Sequence, residues 1–91
     1  MKQGHVHIQP GEYHATGRAS VITTILGSCV SACLFDPVSR IFGMNHFMLS
    51  SSRYTCNIPY YQTDAGRYGI HAMELLINRM LVLGALRHRI Q

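Results

Sequence analysis

Two runs rich in β-branched, aromatic and sulfur-bearing residues, 29–35 (CVSACLF) and 40–49 (RIFGMNHFML), flank Asp36, Pro37, Val38 and Ser39, and this arrangement constrains the chain more than any other. Proline holds φ where the second residue of a turn needs it, and an aspartate before it bonds the turn's backbone. The tetrapeptide therefore reads as a hairpin connection between antiparallel strands. Register in a hairpin follows from its turn, so Cys29 and His46, at similar distances from it, are expected near opposite positions on neighbouring strands.

The residues before the hairpin give this pairing chemical interest. In 23–29 (TTILGSC), apolar and β-branched residues lead into Gly27 and Ser28, whose small side chains allow a sharp turn and leave Cys29 accessible to a large substrate. Covalent catalysis by a thiol needs a base within hydrogen-bond reach and a third group to orient that base. Cys29, His46 and Thr23 are the candidates for nucleophile, base and orienting group. Singly, each is ordinary: free cysteine is usually a small core residue, a lone histidine among Met, Phe and Leu is usually a hydrogen-bonded half-buried one, and threonine is common in strands.

Together, the order Thr23, Leu26, Gly27, Ser28, Cys29, Val30, then Asp36, Pro37, then Gly43, Met44, His46, Met48, Leu49 resembles the chemoreceptor glutamine deamidases called CheD. Gly11, Glu12 and Tyr13 near the start, and Arg67, Tyr68 and the stretch AMELLINRM near the end, extend the resemblance over nearly the whole chain. The resemblance implies that Cys29 is the nucleophile, His46 the general base and Thr23 an assisting residue, with Gly27 and Ser28 at the oxyanion. It implies hydrolysis of glutamine side chains to glutamate on methyl-accepting chemotaxis receptors, without a cofactor. It also implies a CheC-type phosphatase as a further partner, and an interaction module without turnover as the alternative function. Ser50 stands where the family usually has proline, and Phe42 where it has a second glycine; neither touches the chemical residues. The family pattern continues through further strands, so residues 1–91 are expected to be one CheD-like domain incomplete at its C-terminus.

Composition bounds the rest. An apolar fraction of 47% suits a globular domain, though a chain of 91 residues buries one modest core. The net charge of +4 suits acidic partners, but all the basic residues except Lys2 are arginines spread from Arg18 to Arg89, which speaks against nucleic acid. The first residues lack the apolar core of a signal peptide and no apolar run reaches membrane-spanning length, so the expected location is the cytoplasm. Three cysteines are expected to stay thiols there. On a strand Cys29 and Cys33 share a face about 13 Å apart at about 3.3 Å per residue, too far for a disulfide or a shared metal; on a helix they would suit one metal. Val30, Leu34, Phe35 and the Asp-Pro turn favour the strand, with Cys33 buried in it.

Elsewhere, His5 to Ile8 alternates as a strand closed by a Pro10-Gly11 turn, 14–20 reads as a loop, and 21–26 as a second strand in a meander with the hairpin. His5 and His7 share a face, but no Cys or carboxylate lies at an offset that would complete a metal site. Residues 50–63, with Tyr54, Cys56, Tyr60 and Tyr61, read as a long surface loop. A helix is expected from Asp64 to about Leu83, with Ile70, Met73, Ile77, Met80 and Leu81 on its apolar face and His71, Glu74 and Asn78 opposite, ended by Gly84. Residues 85–90 look like the start of another strand. The expected fold is α/β: a layered sandwich with an antiparallel-rich mixed sheet packed on a helix.

Overall fold

The computed structural model describes residues 4–27, 29–48 and 64–91. Its elements are β1 (Gly4–His7), β2 (Tyr13–Thr16), β3 (Ser20–Thr23), β4 (Cys29–Val30), β5 (Cys33–Asp36), β6 (Ile41–Asn45), β7 (Phe47–Met48), α1 (Asp64–Leu83) and a 3₁₀ turn at Arg87–Arg89. Strands β2, β6 and β5 form an antiparallel sheet in that order, β4 pairs antiparallel with β7, and β1 pairs parallel with β3. The helix lies against β2, β6 and β7. This is the expected α/β class, a mixed and mainly antiparallel set of strands on one helix.

The hairpin forms where the Asp-Pro turn sets it. Asp36 pairs with Ile41, the Arg40 N–H donates to the Asp36 carbonyl at 2.8 Å, and Arg40 takes a left-handed φ of 61° to close the loop. Each expected strand is nevertheless interrupted, one at Ser31 and Ala32 and the other at His46, while the pairs on either side, Cys33 with Met44 and Val30 with Phe47, stay in step. The cause is Asn45, buried to 1% exposure. Its side-chain Oδ1 takes the Ala32 N–H at 2.8 Å, and its Nδ2 donates to the Ala72 carbonyl of α1 at 3.3 Å. An amide side chain thus replaces one rung of the ladder and ties the hairpin to the helix.

Three expectations about the strands are corrected. Residues 14–20, expected as a loop, carry all of β2 but Tyr13, together with the first residue of β3; β2 shows no apolar alternation, since only its Ala15 is buried. The second expected strand does not join the hairpin as a meander; it is β3, and it runs parallel to β1 after a crossover through β2. Residues 85–90 hold the 3₁₀ turn rather than a strand, because Asp36 draws them in: its carboxylate accepts the Leu86 N–H at 3.0 Å and a double contact from the Arg89 guanidinium at 3.0 and 3.1 Å. Only Gln91 pairs in strand fashion, exchanging both backbone hydrogen bonds with Phe35.

The core is built from Ala15, Ile41, Leu76, Met80 and Ala85, with Leu34 and Ile90 packed on it. Leu76 and Met80 define the buried stripe of α1, whereas Ile70, expected on that face, is half exposed because the stripe follows Gly69, Met73, Leu76 and Met80. His71, Glu74 and Asn78 are exposed as expected. The helix ends in a Schellman arrangement: Gly84 takes φ 121°, its N–H bonds Leu81 at 3.1 Å, and the Ala85 N–H bonds Met80 at 3.0 Å. Gly43 permits the helix to approach the sheet, since a Cβ there would stand 2.7 Å from Leu76 and 2.9 Å from the His14 carbonyl. Residues 50–63, expected as a surface loop, lie outside the described residues.

Candidate active site

His46 is fixed from two sides. The turn from Gln9 to Glu12 closes with a Glu12 N–H to Gln9 carbonyl bond of 3.0 Å, and Gly11 takes φ 87°, the signature of Pro followed by Gly in a turn with a left-handed third residue. From that turn Gly11 donates to the His46 carbonyl at 2.7 Å, and the His46 N–H donates to Glu12 at 3.0 Å. The hairpin interruption created by Asn45 releases the His46 backbone to make these bonds. The ring is then buried to 2% exposure beside a cavity of about 30 Å³ shared with Tyr13, His71 and Leu75.

The proton on that ring can be located by counting donors. The Thr24 hydroxyl donates to the Ile8 carbonyl at 2.8 Å, and a carbonyl only accepts. Having one hydrogen, the hydroxyl must accept in its other bond, 2.6 Å from His46 Nδ1, so Nδ1 carries the proton. His46 Nε2 is then the basic nitrogen, and among the described residues it is buried without a hydrogen-bond partner. A buried polar atom left so costs about 1–3 kcal/mol, which makes it a natural place to look for chemistry.

Thr23, the residue expected to orient His46, stands elsewhere. Its hydroxyl lies 3.0 Å from His5 Nε2 and 3.2 Å from His7 Nδ1, on the exposed face of the parallel pair. Successive residues of a strand point to opposite faces, and it is Thr24 that turns inward to His46. His5 and His7 share a face as expected, and among the described residues no group of three His, Cys, Asp or Glu side chains gathers as a metal would require.

Cys29 begins β4, half-buried, and pairs with Met48. Continuing that register sets Ser31 across from His46, so Cys29 stands diagonal to His46 on the hairpin, a relation with a usual separation of about 7–8 Å. The two are neighbours, but among the described residues the thiol makes no hydrogen bond to the imidazole. Such contacts often tighten only when substrate binds. Gly27 precedes Cys29 in open space, with nothing within 4 Å of where a Cβ would be. Ser28 lies outside the described residues, as does Cys56. Cys33, expected to be buried, is exposed, because it projects from the hairpin face away from α1.

The contacts of Thr24 and Asn45 complete the surroundings of His46. Thr24 is adjacent to the residue chosen, and only strand phase separates the two. Asn45 had a visible signal, an amide inside an apolar run where strands disfavour it.

No family model matches the chain. Individual relatives do. The chain is similar to a probable chemoreceptor glutamine deamidase CheD 1 of Geobacter sulfurreducens, 56% identical over 86 residues that make up 94% of this chain and 43% of the relative. A protein of the same description from Shewanella oneidensis is 52% identical over 91 residues, 100% of this chain and 43% of its own length. A probable chemoreceptor glutamine deamidase CheD of Rhizobium etli is 53% identical over 87 residues, 94% of this chain and 46% of the relative. The chain therefore spans less than half the length of these relatives.

Proposed function

The chain belongs, over the part it spans, to the CheD family, and from that premise we propose that it carries the catalytic residues for hydrolytic deamidation of protein glutamine on a chemoreceptor. The observation that supports this most is the state of His46: Thr24 holds a proton on Nδ1 and leaves Nε2 with a free lone pair on the hairpin that carries Cys29. Nε2 takes the Cys29 proton, and the thiolate attacks the carboxamide carbon. Backbone N–H groups at Ser28 and Cys29, where Gly27 leaves the approach open, stabilise the oxyanion. His46 returns the proton to the leaving nitrogen, ammonia departs, and a thioester remains. Water, deprotonated by Nε2, then attacks the thioester, releasing glutamate and restoring the thiol. The orienting role that the family resemblance gives to Thr23 falls in this scheme to Thr24.

Incubating the protein with receptor fragments in heavy-oxygen water tests this reading. Each converted glutamine should gain one solvent oxygen, and Cys29→Ser or His46→Ala should abolish conversion; incorporation undiminished in Cys29→Ser would refute it. The second reading, a module that binds a receptor or a CheC-type phosphatase without turnover, is favoured by the missing hydrogen bond between Cys29 and His46 among the described residues. Co-purification with a phosphatase partner and no conversion would select it. A cytoplasmic location fits either reading; among the described residues no helix is long and apolar enough to cross a membrane.

A further inference from the structure

A cavity of about 950 Å³ is lined by neither Cys29 nor His46. It is an open groove between the link that joins β2 to β3 and the C-terminal half of α1. Arg18 enters it from the link and Arg79 from the helix, with His14, Thr16 and Ser20 along the walls and Leu83 at one side. Among the described residues no carboxylate lines it. The described acidic side chains are engaged elsewhere: Glu12 accepts the Gln9 N–H at 2.6 Å, Asp36 holds Arg89, and Glu74 faces Arg87 at 3.8 Å. Arg18 and Arg79 are exposed and have no acidic partner among the described residues.

Two guanidiniums from different elements, facing one groove without internal neutralisation, select an anionic occupant, and their planar forks match carboxylates. At the upper end of the usual 300–1,000 Å³ for ligand pockets, the groove exceeds what a single small anion needs. We propose that it docks an acidic segment of the protein substrate, a stretch carrying at least two carboxylates, apart from the glutamine presented to Cys29. This rests on the reading of the substrate as a protein, but not on turnover.

Fluorescence anisotropy tests it with a labelled peptide carrying glutamates at a four-residue spacing, and with its glutamine counterpart, on the 91-residue chain. The acidic peptide should bind at least about tenfold more tightly than the glutamine peptide, with affinity falling as salt rises. Arg18→Ala with Arg79→Ala should weaken it about tenfold while the circular dichroism spectrum is unchanged, both side chains being exposed. Equal affinity for the two peptides, an unaffected double variant, or displacement of the peptide by inorganic phosphate at millimolar concentration would each overturn the proposal. A chain that binds the acidic peptide through these arginines yet converts no glutamine would refute the catalytic reading and leave the groove in place.

Discussion

Replacing Thr24 by valine removes a hydroxyl and keeps the shape. Two hydrogen bonds disappear, that of 2.8 Å to the Ile8 carbonyl and that of 2.6 Å from His46 Nδ1. The second matters for the proposed chemistry, because it decides which ring nitrogen keeps its lone pair. A net hydrogen bond is worth about 1 kcal/mol, and leaving the Nδ1–H buried and unpaired adds to that. Near 1.4 kcal/mol the population of the productive tautomer falls about tenfold relative to its competitor. Long-range proton–nitrogen correlation spectra of the imidazole distinguish the two tautomers directly. Wild type should show the Nδ1–H form of His46, Thr24→Val a loss of it, and Thr24→Ser should restore it. Thr23→Val should leave the His46 signals unchanged, since that hydroxyl serves His5 and His7. An Nε2–H tautomer in wild type, or a larger effect from Thr23→Val than from Thr24→Val, would refute the donor accounting.

Other consequences are open to simple measurements. Gly43→Ala places a methyl group against Leu76 and the His14 carbonyl and should lower stability by about 1–3 kcal/mol in urea unfolding, whereas Gly27→Ala, in open space, should not destabilise by contact. The Arg89 guanidinium, aided by the Leu86 and Val38 N–H groups against the cost of burial, holds the Asp36 carboxyl well below the usual carboxylate range. Its folded value being depressed, the stabilisation is fully present above the unfolded value of about 3.9 and is lost as pH falls towards the folded one. The urea midpoint should therefore drop in strong acid, and Asp36→Asn should flatten that slope. Asn45→Leu removes the bond to Ala32 and the tie to Ala72, and should loosen His46 as well as the hairpin, seen as faster amide exchange at Ala32 and His46.

The hairpin was legible because its turn carries its own chemistry: an aspartate that bonds the backbone after it and a proline that fixes one dihedral set the register that brings Cys29 near His46. The helix and its Gly84 cap were legible for the same reason, local signals with local causes. What the sequence hid depends on contacts far apart in the chain. The parallel pairing of β1 with β3 is decided by a crossover, and β2 is held by its pairing with β6 and by the helix rather than by its own pattern. The 3₁₀ turn replaces a strand because Asp36 collects Leu86 and Arg89 from 50 residues away and more. At the site, Cys29 and His46 could be chosen from residue type and spacing, but Thr23 and Thr24 differ only in which way a strand end faces.

The central claim, that Cys29 and His46 act as a pair, is tested most directly by the rate at which iodoacetamide labels each cysteine near neutral pH. Cys33 is exposed and serves as the internal standard of an accessible thiol. If Nε2 of His46 takes the Cys29 proton, Cys29 should be labelled about tenfold faster than Cys33, and His46→Ala should bring it down to the rate of Cys33 or below. Equal labelling of the two, or fast labelling of Cys29 that survives His46→Ala, would mean that the imidazole does not activate the thiol.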